Sequence, residues 1–169
     1  ERLPGIGLED LMQQWNALPN WRQRWCTRLL KIQPCLAYLT KLAAGAGGKP
    51  VLYVGLRADE PERKGLYSEH VETRFPLREW GWGRADVVSY VRSKGIVVPN
   101  RTDCAWCYGQ RLIEWFQLWR DERELYNRAI EWEKRTCHTF RSPQRDSWPT
   151  SLTDLGQAFE QGRRPPGYK

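Results

Sequence analysis

Val51-Leu52-Tyr53-Val54-Gly55-Leu56-Arg57-Ala58-Asp59-Glu60-Pro61-Glu62-Arg63 is the stretch on which the fold turns. Its first six residues are a continuous apolar run, bounded by Pro50 on one side and by charge on the other. A strand covered on both faces, as in a parallel sheet, has that pattern. The run then ends in a glycine and a loop carrying Arg57, Asp59, Glu60 and Arg63. In open parallel α/β sheets, ligands bind beyond the carboxyl ends of the strands. Guanidinium groups there suit phosphate, and a carboxylate there orients an arginine or binds Mg²⁺. The competing reading is a surface loop whose charges pair with one another.

Outward from this strand the pattern is largely helical. Leu8, Leu11, Met12 and Trp15 have helical spacing and stop at Pro19-Asn20. Trp25, Leu29, Leu30, Ile32, Leu36 and Leu39 continue it, with Pro34 expected to split the stretch or to start a second helix. The Gly45–Pro50 segment reads as a flexible loop, and without a Lys-Ser/Thr pair it is no Walker loop. Residues 57–74 read as a long charged loop, 73–77 and 96–99 as short extended pieces, and 84–94 as a helix stopped by Gly95. Leu112, Trp115, Phe116 and Trp119 form one amphipathic stripe, and Leu125, Tyr126, Ala129, Ile130 and Glu133 a second. Such aromatic stripes more often build core than ligand platforms.

Composition narrows the class. The chain has 169 residues, a single domain's worth, and its 10 Trp, 7 Tyr and 4 Phe supply enough apolar area to argue against disorder. Nothing approaches the roughly 18 consecutive apolar residues of a membrane span, and no secretory signal follows Glu1. The expected location is therefore the cytoplasm, with no membrane partner. The net charge of +7, carried more by Arg than by Lys, fits a nucleotide or nucleic-acid partner, and equally a slightly basic enzyme surface. Five cysteines, an odd number, argue against a disulfide framework.

Two further stretches carry chemistry. Around Cys26, near an expected helix start, stand Arg22, Arg24, Arg28 and Lys31. The unpaired N–H groups of a helix start favour anions, and the same field favours thiolate. A solvated basic helix face fits that spacing as well. Cys104-Ala105-Trp106-Cys107 is followed, after two helical stripes, by Cys137-His138. An antiparallel helix pair would return Cys137 toward the Cys-x-x-Cys. With Cys26 this makes four thiolates, a set that suits tetrahedral zinc or a [4Fe–4S] cluster without choosing between them. Cys35 is left as a spare, and His138 is a further possible ligand.

Taken in order, Arg24 to Pro34, Gly55 to Arg63, Phe75 to Pro99 and Cys104 to Cys107 resemble the phosphoadenosine phosphosulfate reductase family, within the adenine nucleotide α-hydrolase (PP-loop ATP pyrophosphatase) superfamily. The resemblance covers roughly residues 20–140. It implies an α/β fold: a partial doubly wound, mostly parallel sheet with a C-terminal helical, cysteine-ligated metal subdomain. Residues 1–100 would be the C-terminal part of an adenine-nucleotide-binding domain, 101–145 a helical hairpin with the metal site, and 146–169 a tail. Arg24, Arg28, Lys31, Arg57, Asp59, Glu60 and Arg63 would face nucleotide phosphates or a substrate anion. Cys26, Cys104, Cys107 and Cys137 would hold [4Fe–4S], with zinc as the alternative.

The family's Ser-Gly-Gly-x-Asp-Ser nucleotide loop has no counterpart in the chain, so either an upstream stretch carries it, which a start at Glu1 without Met favours, or the protein does not bind ATP in the family's way. The Glu-Cys-Gly-Leu/Ile-His tail of sulfonucleotide reductases is also missing around Cys137-His138. The implied activity is adenine-nucleotide-dependent sulfur transfer or nucleotidyl activation, using ATP or another adenine nucleotide and acting on nucleic acid or with a partner subunit. The alternatives are a sulfonucleotide reductase that releases sulfite and a non-enzymatic, metal-stapled module that binds nucleic acid or a partner. No catalytic residue is singled out by the sequence.

Overall fold

Three helix starts in this chain, before Leu8, Arg84 and Leu112, share one device, a carboxylate three residues into the helix that reaches back to the N-cap amide. A computed structural model, which describes residues 5–45, 48–64, 69, 71–99 and 104–168, shows it repeatedly. Asp10 Oδ2 accepts from Gly7 N (2.7 Å) at the start of α1, Leu8–Trp15. After a short α2 (Trp25–Thr27) comes a π turn, Arg28–Ile32, and then α3 (Gln33–Gly45). Pro34 therefore stands in the first turn of a second helix, one of the two outcomes expected of it, although the helical path from α2 runs on without a gap. It has no N–H for the carbonyl of Leu30, and the wider π turn stands where that bond is lost.

The two strands are β1 (Val51–Tyr53) and β2 (Glu72–Arg74). They pair in parallel, with Val51 opposite Glu72, Leu52 opposite Thr73 and Tyr53 opposite Arg74. This bears out a parallel strand at Val51 but not its expected length or burial. Only three residues of the apolar run are strand, and Val51 and Tyr53 are exposed. A two-stranded sheet offers its central residues too few neighbours to cover both faces.

Next come α4 (Pro76–Glu79) and α5 (Arg84–Ser93), the latter started by Gly83 N donating to Asp86 Oδ2 (2.9 Å). Gly95, at φ +71°, follows it as the left-handed stop. Residues 96–99 form no strand. Three more helices follow: α6 (Leu112–Asp121), α7 (Arg123–Thr136) and α8 (Leu152–Glu160). Within the expected loops, residues 46, 47, 65–68 and 70 lie outside the described residues, as does Lys169 in the expected tail. At this level the protein is a mixed helical chain with a small parallel sheet. No helix among the described residues is long and apolar enough to cross a membrane.

Two compact units divide the chain: residues 1–30 with 103–169, and residues 31–102. The first contains a large aromatic core. Trp115, Phe116, Tyr126, Leu152, Leu155 and Phe159 are buried together with Leu11, Met12 and Trp25. Phe116 and Phe159 meet edge to face at 5.0 Å, an arrangement favoured by the ring quadrupoles. Gly156 admits the Tyr126 ring, because a Cβ there would lie 3.4 Å from Cε1. The Tyr126 hydroxyl donates to Leu152 O (2.7 Å), and burial pushes its pKa up. The stretch expected as a tail thus includes α8, whose Leu152, Leu155 and Phe159 belong to this core.

Glu133 is the buried carboxylate of the first unit. Its Oε1 accepts from Phe140 N (2.9 Å) and its Oε2 from Leu152 N (2.7 Å), so one side chain ties both ends of the segment joining α7 to α8. Burial pushes its pKa up to about 7, against the opposing pull of those two amides and of Arg141. With a folded pKa above the unfolded one, the native state keeps a proton that the unfolded state has already lost between about 4.5 and 7. This group's contribution is therefore largest at the acid end of that window and falls as pH rises through it. Glu133→Gln removes the titration and turns an amide NH₂ toward one backbone donor. Urea unfolding should show a loss of about 1–3 kcal/mol at pH 5 and a smaller loss at pH 7; an equal loss at both values contradicts the raised pKa.

Candidate functional site

In the second unit, the expected anion-binding residues come together immediately after β1. Arg57 Nε donates to Asp59 Oδ1 (2.8 Å), and Arg57 Nη2 lies 3.4 Å from Glu60 Oε1. Arg63 Nη1 pairs with the same Glu60 oxygen at 2.8 Å. The Arg57 guanidinium beside Asp59 holds that carboxyl below its usual range, and Arg63 does the same for Glu60. Asp59 Oδ2 also accepts from Arg84 N (3.0 Å), which joins the loop to the first turn of α5. Gly83 allows that approach, since a Cβ there would lie 3.4 Å from Asp59 Cγ.

Arg78, on α4, was not singled out by the sequence reading. Its guanidinium donates to three backbone carbonyls of the loop: Arg57 O (3.4 Å), Glu60 O (2.5 Å) and Arg63 O (2.8 Å). One planar fork thereby fixes the path of the whole turn. The only signal in the sequence was a lone arginine following Phe75-Pro76 in a charged region. Lys31, the remaining basic candidate of this unit, is exposed in the π turn.

In the first unit lies a cavity of about 830 Å³, lined by residues 20–22, 108–109 and 138–145. Two of these segments begin immediately after Cys107 and after Cys137, and the third ends four residues before Cys26. Cys107 N donates to Cys104 O (3.1 Å), so these two cysteines bracket one turn. A Cβ at Gly109 would lie 3.5 Å from Cys107 Sγ, so the glycine leaves open space beside that sulfur. Cys137 caps α7 in the left-handed region, at φ 55°, an uncommon conformation for a residue other than Gly, Asn or Asp. Its thiol reaches Lys134 O at 3.7 Å. Cys26 is half-buried on α2; Arg24, just before that helix, and Arg28, just after it, are exposed, and the Arg24 guanidinium lies 5.8 Å from the Trp21 ring centre.

His138 Nδ1 is 2.6 Å from Thr136 O. A carbonyl only accepts, so Nδ1 carries a proton and Nε2 is the nitrogen left for a ligand or a proton. Arg141 is buried. Its Nη2 pairs with Asp146 Oδ1 (2.7 Å), its Nε donates to Pro149 O (3.2 Å), and its Nη1 has no partner among the described residues.

The four candidate thiols Cys26, Cys104, Cys107 and Cys137 all belong to this unit, whereas Cys35 belongs to the other, and no disulfide joins any of the five. In kind, the set fits a thiophilic metal or cluster: sulfur donors, two of them on one turn, with space beside one. Among the described residues, no three His, Cys, Asp or Glu side chains are yet gathered closely enough to hold an ion.

No protein-family model matches this chain, and neither the curated proteins nor the solved structures include a significant match.

Arg78→Lys keeps the charge but cannot span three carbonyls. Hydrogen exchange should show the amides of Ala58, Glu60 and Arg63 losing protection by about tenfold or more, consistent with about 1.5–3 kcal/mol for hydrogen bonds to a charged group. Unchanged protection of those three amides contradicts the role given to Arg78.

Proposed function

We propose that this chain is part of an adenine-nucleotide-dependent sulfur-transfer or nucleotidyl-activating protein similar to the phosphoadenosine phosphosulfate reductase family. The observation that carries the reading is the loop after β1. Four residues picked out in Gly-x-Arg-x-Asp-Glu-x-x-Arg form one hydrogen-bonded cluster directly beyond a parallel strand and against the first turn of α5. That is the location at which open α/β sheets bind ligands. The reading includes a larger, doubly wound, mostly parallel sheet of which β1 and β2 are two strands. The exposed apolar side chains of Val51 and Tyr53 on β1 support it.

In this reading Arg57 and Arg63 turn from their carboxylate partners toward nucleotide phosphates, while Asp59 keeps the loop seated on α5. Arginines so held stabilise the charge that develops at a phosphorus under attack. Cys26, Cys104, Cys107 and Cys137 would hold a [4Fe–4S] cluster. Such a cluster supplies thiolate-ligated iron and sulfide for redox or sulfur chemistry. The grouping of the four cysteines in one compact unit, three of their segments bordering one cavity, supports this assignment. Their gathering round the cluster is part of the proposal. A reduced compartment such as the cytoplasm keeps such thiols available.

Anaerobically purified protein should be brown, with broad absorbance near about 400 nm and iron matching acid-labile sulfide. Cys104→Ser and Cys107→Ser should each lower the iron content. A colourless protein with one zinc would shift the reading to a metal-stapled binding module, and one without iron or zinc would remove the four-cysteine assignment. The protein should also bind ATP, read by isothermal titration calorimetry. Arg57→Ala should weaken that binding by about tenfold or more, on the scale of losing hydrogen bonds to a charged group; unaltered binding would exclude the loop from the nucleotide site.

A further inference from the structure

The cavity of the first unit has a character that its neighbouring cysteines do not explain. Arg22, Arg141, Arg145 and His138 line it, and no carboxylate does so among the described residues. The positive field there is opposed from outside the lining, by Asp146, which pairs with Arg141, and by Glu133 behind Phe140. Of the buried side-chain polar atoms without a partner among the described residues, Arg141 Nη1 is the one that carries charge. The Arg141 fork is held in place by Pro149 O and Asp146, which leaves its Nη1 edge for a further acceptor.

Arg145 makes only long contacts, at 3.3 and 3.4 Å, to the carbonyls of Tyr108 and Gly109. Those bonds are easily exchanged for an anion.

Beside these cations stand flat apolar faces. Trp21 is 74% exposed although it packs edge to face on Tyr108 at 6.2 Å. A large aromatic left that far in water at a cavity wall offers a stacking surface. The volume, about 830 Å³, falls in the range of sites for ligands of drug or nucleotide size.

We propose that this cavity seats a nucleoside phosphate unit, with its base against Trp21 and its phosphate among Arg22, Arg141 and Arg145. Repeated guanidinium groups match the charge and fork geometry of phosphate better than they match a single carboxylate, and a base supplies a flat π face to stack on the exposed Trp21 ring. The unit comes either from a single-stranded nucleic acid or from a free mononucleotide. The proposal stands apart from the cluster and from the adenine-nucleotide site assigned to the other unit.

The test is fluorescence anisotropy of a labelled oligothymidylate with the full chain, in buffer without ATP, followed by competition with unlabelled AMP and with inorganic phosphate. The oligomer contains no adenine, so a failed adenine-nucleotide reading in the other unit leaves this result unaffected. Trp21→Ala should weaken binding by about tenfold or more. Arg145→Gln should weaken it and reduce the dependence of log affinity on log salt by about one. Arg92→Gln, which removes one exposed charge from α5 in the other unit, should change affinity by less than about twofold. Circular dichroism of each variant checks that the fold persists.

Displacement by AMP but not by phosphate assigns the site to a free mononucleotide, and tight oligomer binding that AMP does not displace assigns it to a strand. The proposal is overturned if no probe binds, if phosphate competes as well as AMP, or if Trp21→Ala binds as the parent does. Equal losses from Arg92→Gln and Arg145→Gln would likewise overturn it, because the attraction would then be general charge.

Discussion

Everything around the cavity depends on one buried carboxylate. Glu133 holds Phe140 N and Leu152 N, and so fixes both ends of the polypeptide between α7 and α8. Without it, two amides would be buried with no acceptor, each at a cost of about 1–3 kcal/mol. The segment it holds supplies residues 138–145 of the cavity wall. The same segment positions Phe140 against Trp115, at 5.9 Å between ring centres, and thereby joins the wall to the core. Packing energy in the aromatic core and cation geometry at the cavity are thus set by the same two hydrogen bonds. Burial raises the pKa of this carboxylate, so its contribution to stability changes with pH near neutrality.

A second constraint of the same kind works in the other unit with the charges reversed. There a cation, Arg78, collects backbone carbonyls where Glu133 collects backbone amides. In both cases one side chain closes a non-repetitive segment that has no ladder of its own to satisfy its polar groups. The loop after β1 is consequently ordered by its own members, and its arginines are occupied by its own carboxylates. A ligand at that loop has to compete with these ion pairs. Exposed pairs of this type are each worth only about 0–1 kcal/mol, so an anion held by two arginines can displace them.

Several elements were legible from the chain because their signals are local. Leu8, Leu11, Met12 and Trp15 mark α1, Gly95 marks the stop of α5, and the stripes from Leu112 and Leu125 mark α6 and α7. The meeting of Arg57, Asp59, Glu60 and Arg63 was also legible, since residues two and three apart in a turn are neighbours whatever surrounds them. The helix at Leu152–Glu160 had its signal too, in Ser151 with Asp154 and in the spacing of Leu152, Leu155 and Phe159, although that stretch was taken as a tail. Other features had no local signal. Pro34 marks the first turn of α3, but nothing local announces the π turn that joins it to α2. The apolar run at Val51 implied burial, but burial belongs to the neighbours of a strand and not to the strand itself.

What the sequence by itself determined was therefore the repertoire: where helices start and stop, that a parallel strand leads into a charged turn, and which cysteines and arginines are available. These follow from periodicity, capping and turn chemistry, which act over a few residues. Only the tertiary structure decided which distant groups share a site. It set the carboxylate of Glu133 against amides 7 and 19 residues away, and Arg78 against carbonyls 15 to 21 residues away. It also gathered the segments at 20–22, 108–109 and 138–145 round one cavity. The two side chains satisfy backbone polar groups of non-repetitive segments that have no ladder of their own, and which distant residue does so is set by how the chain packs and not by neighbours in sequence.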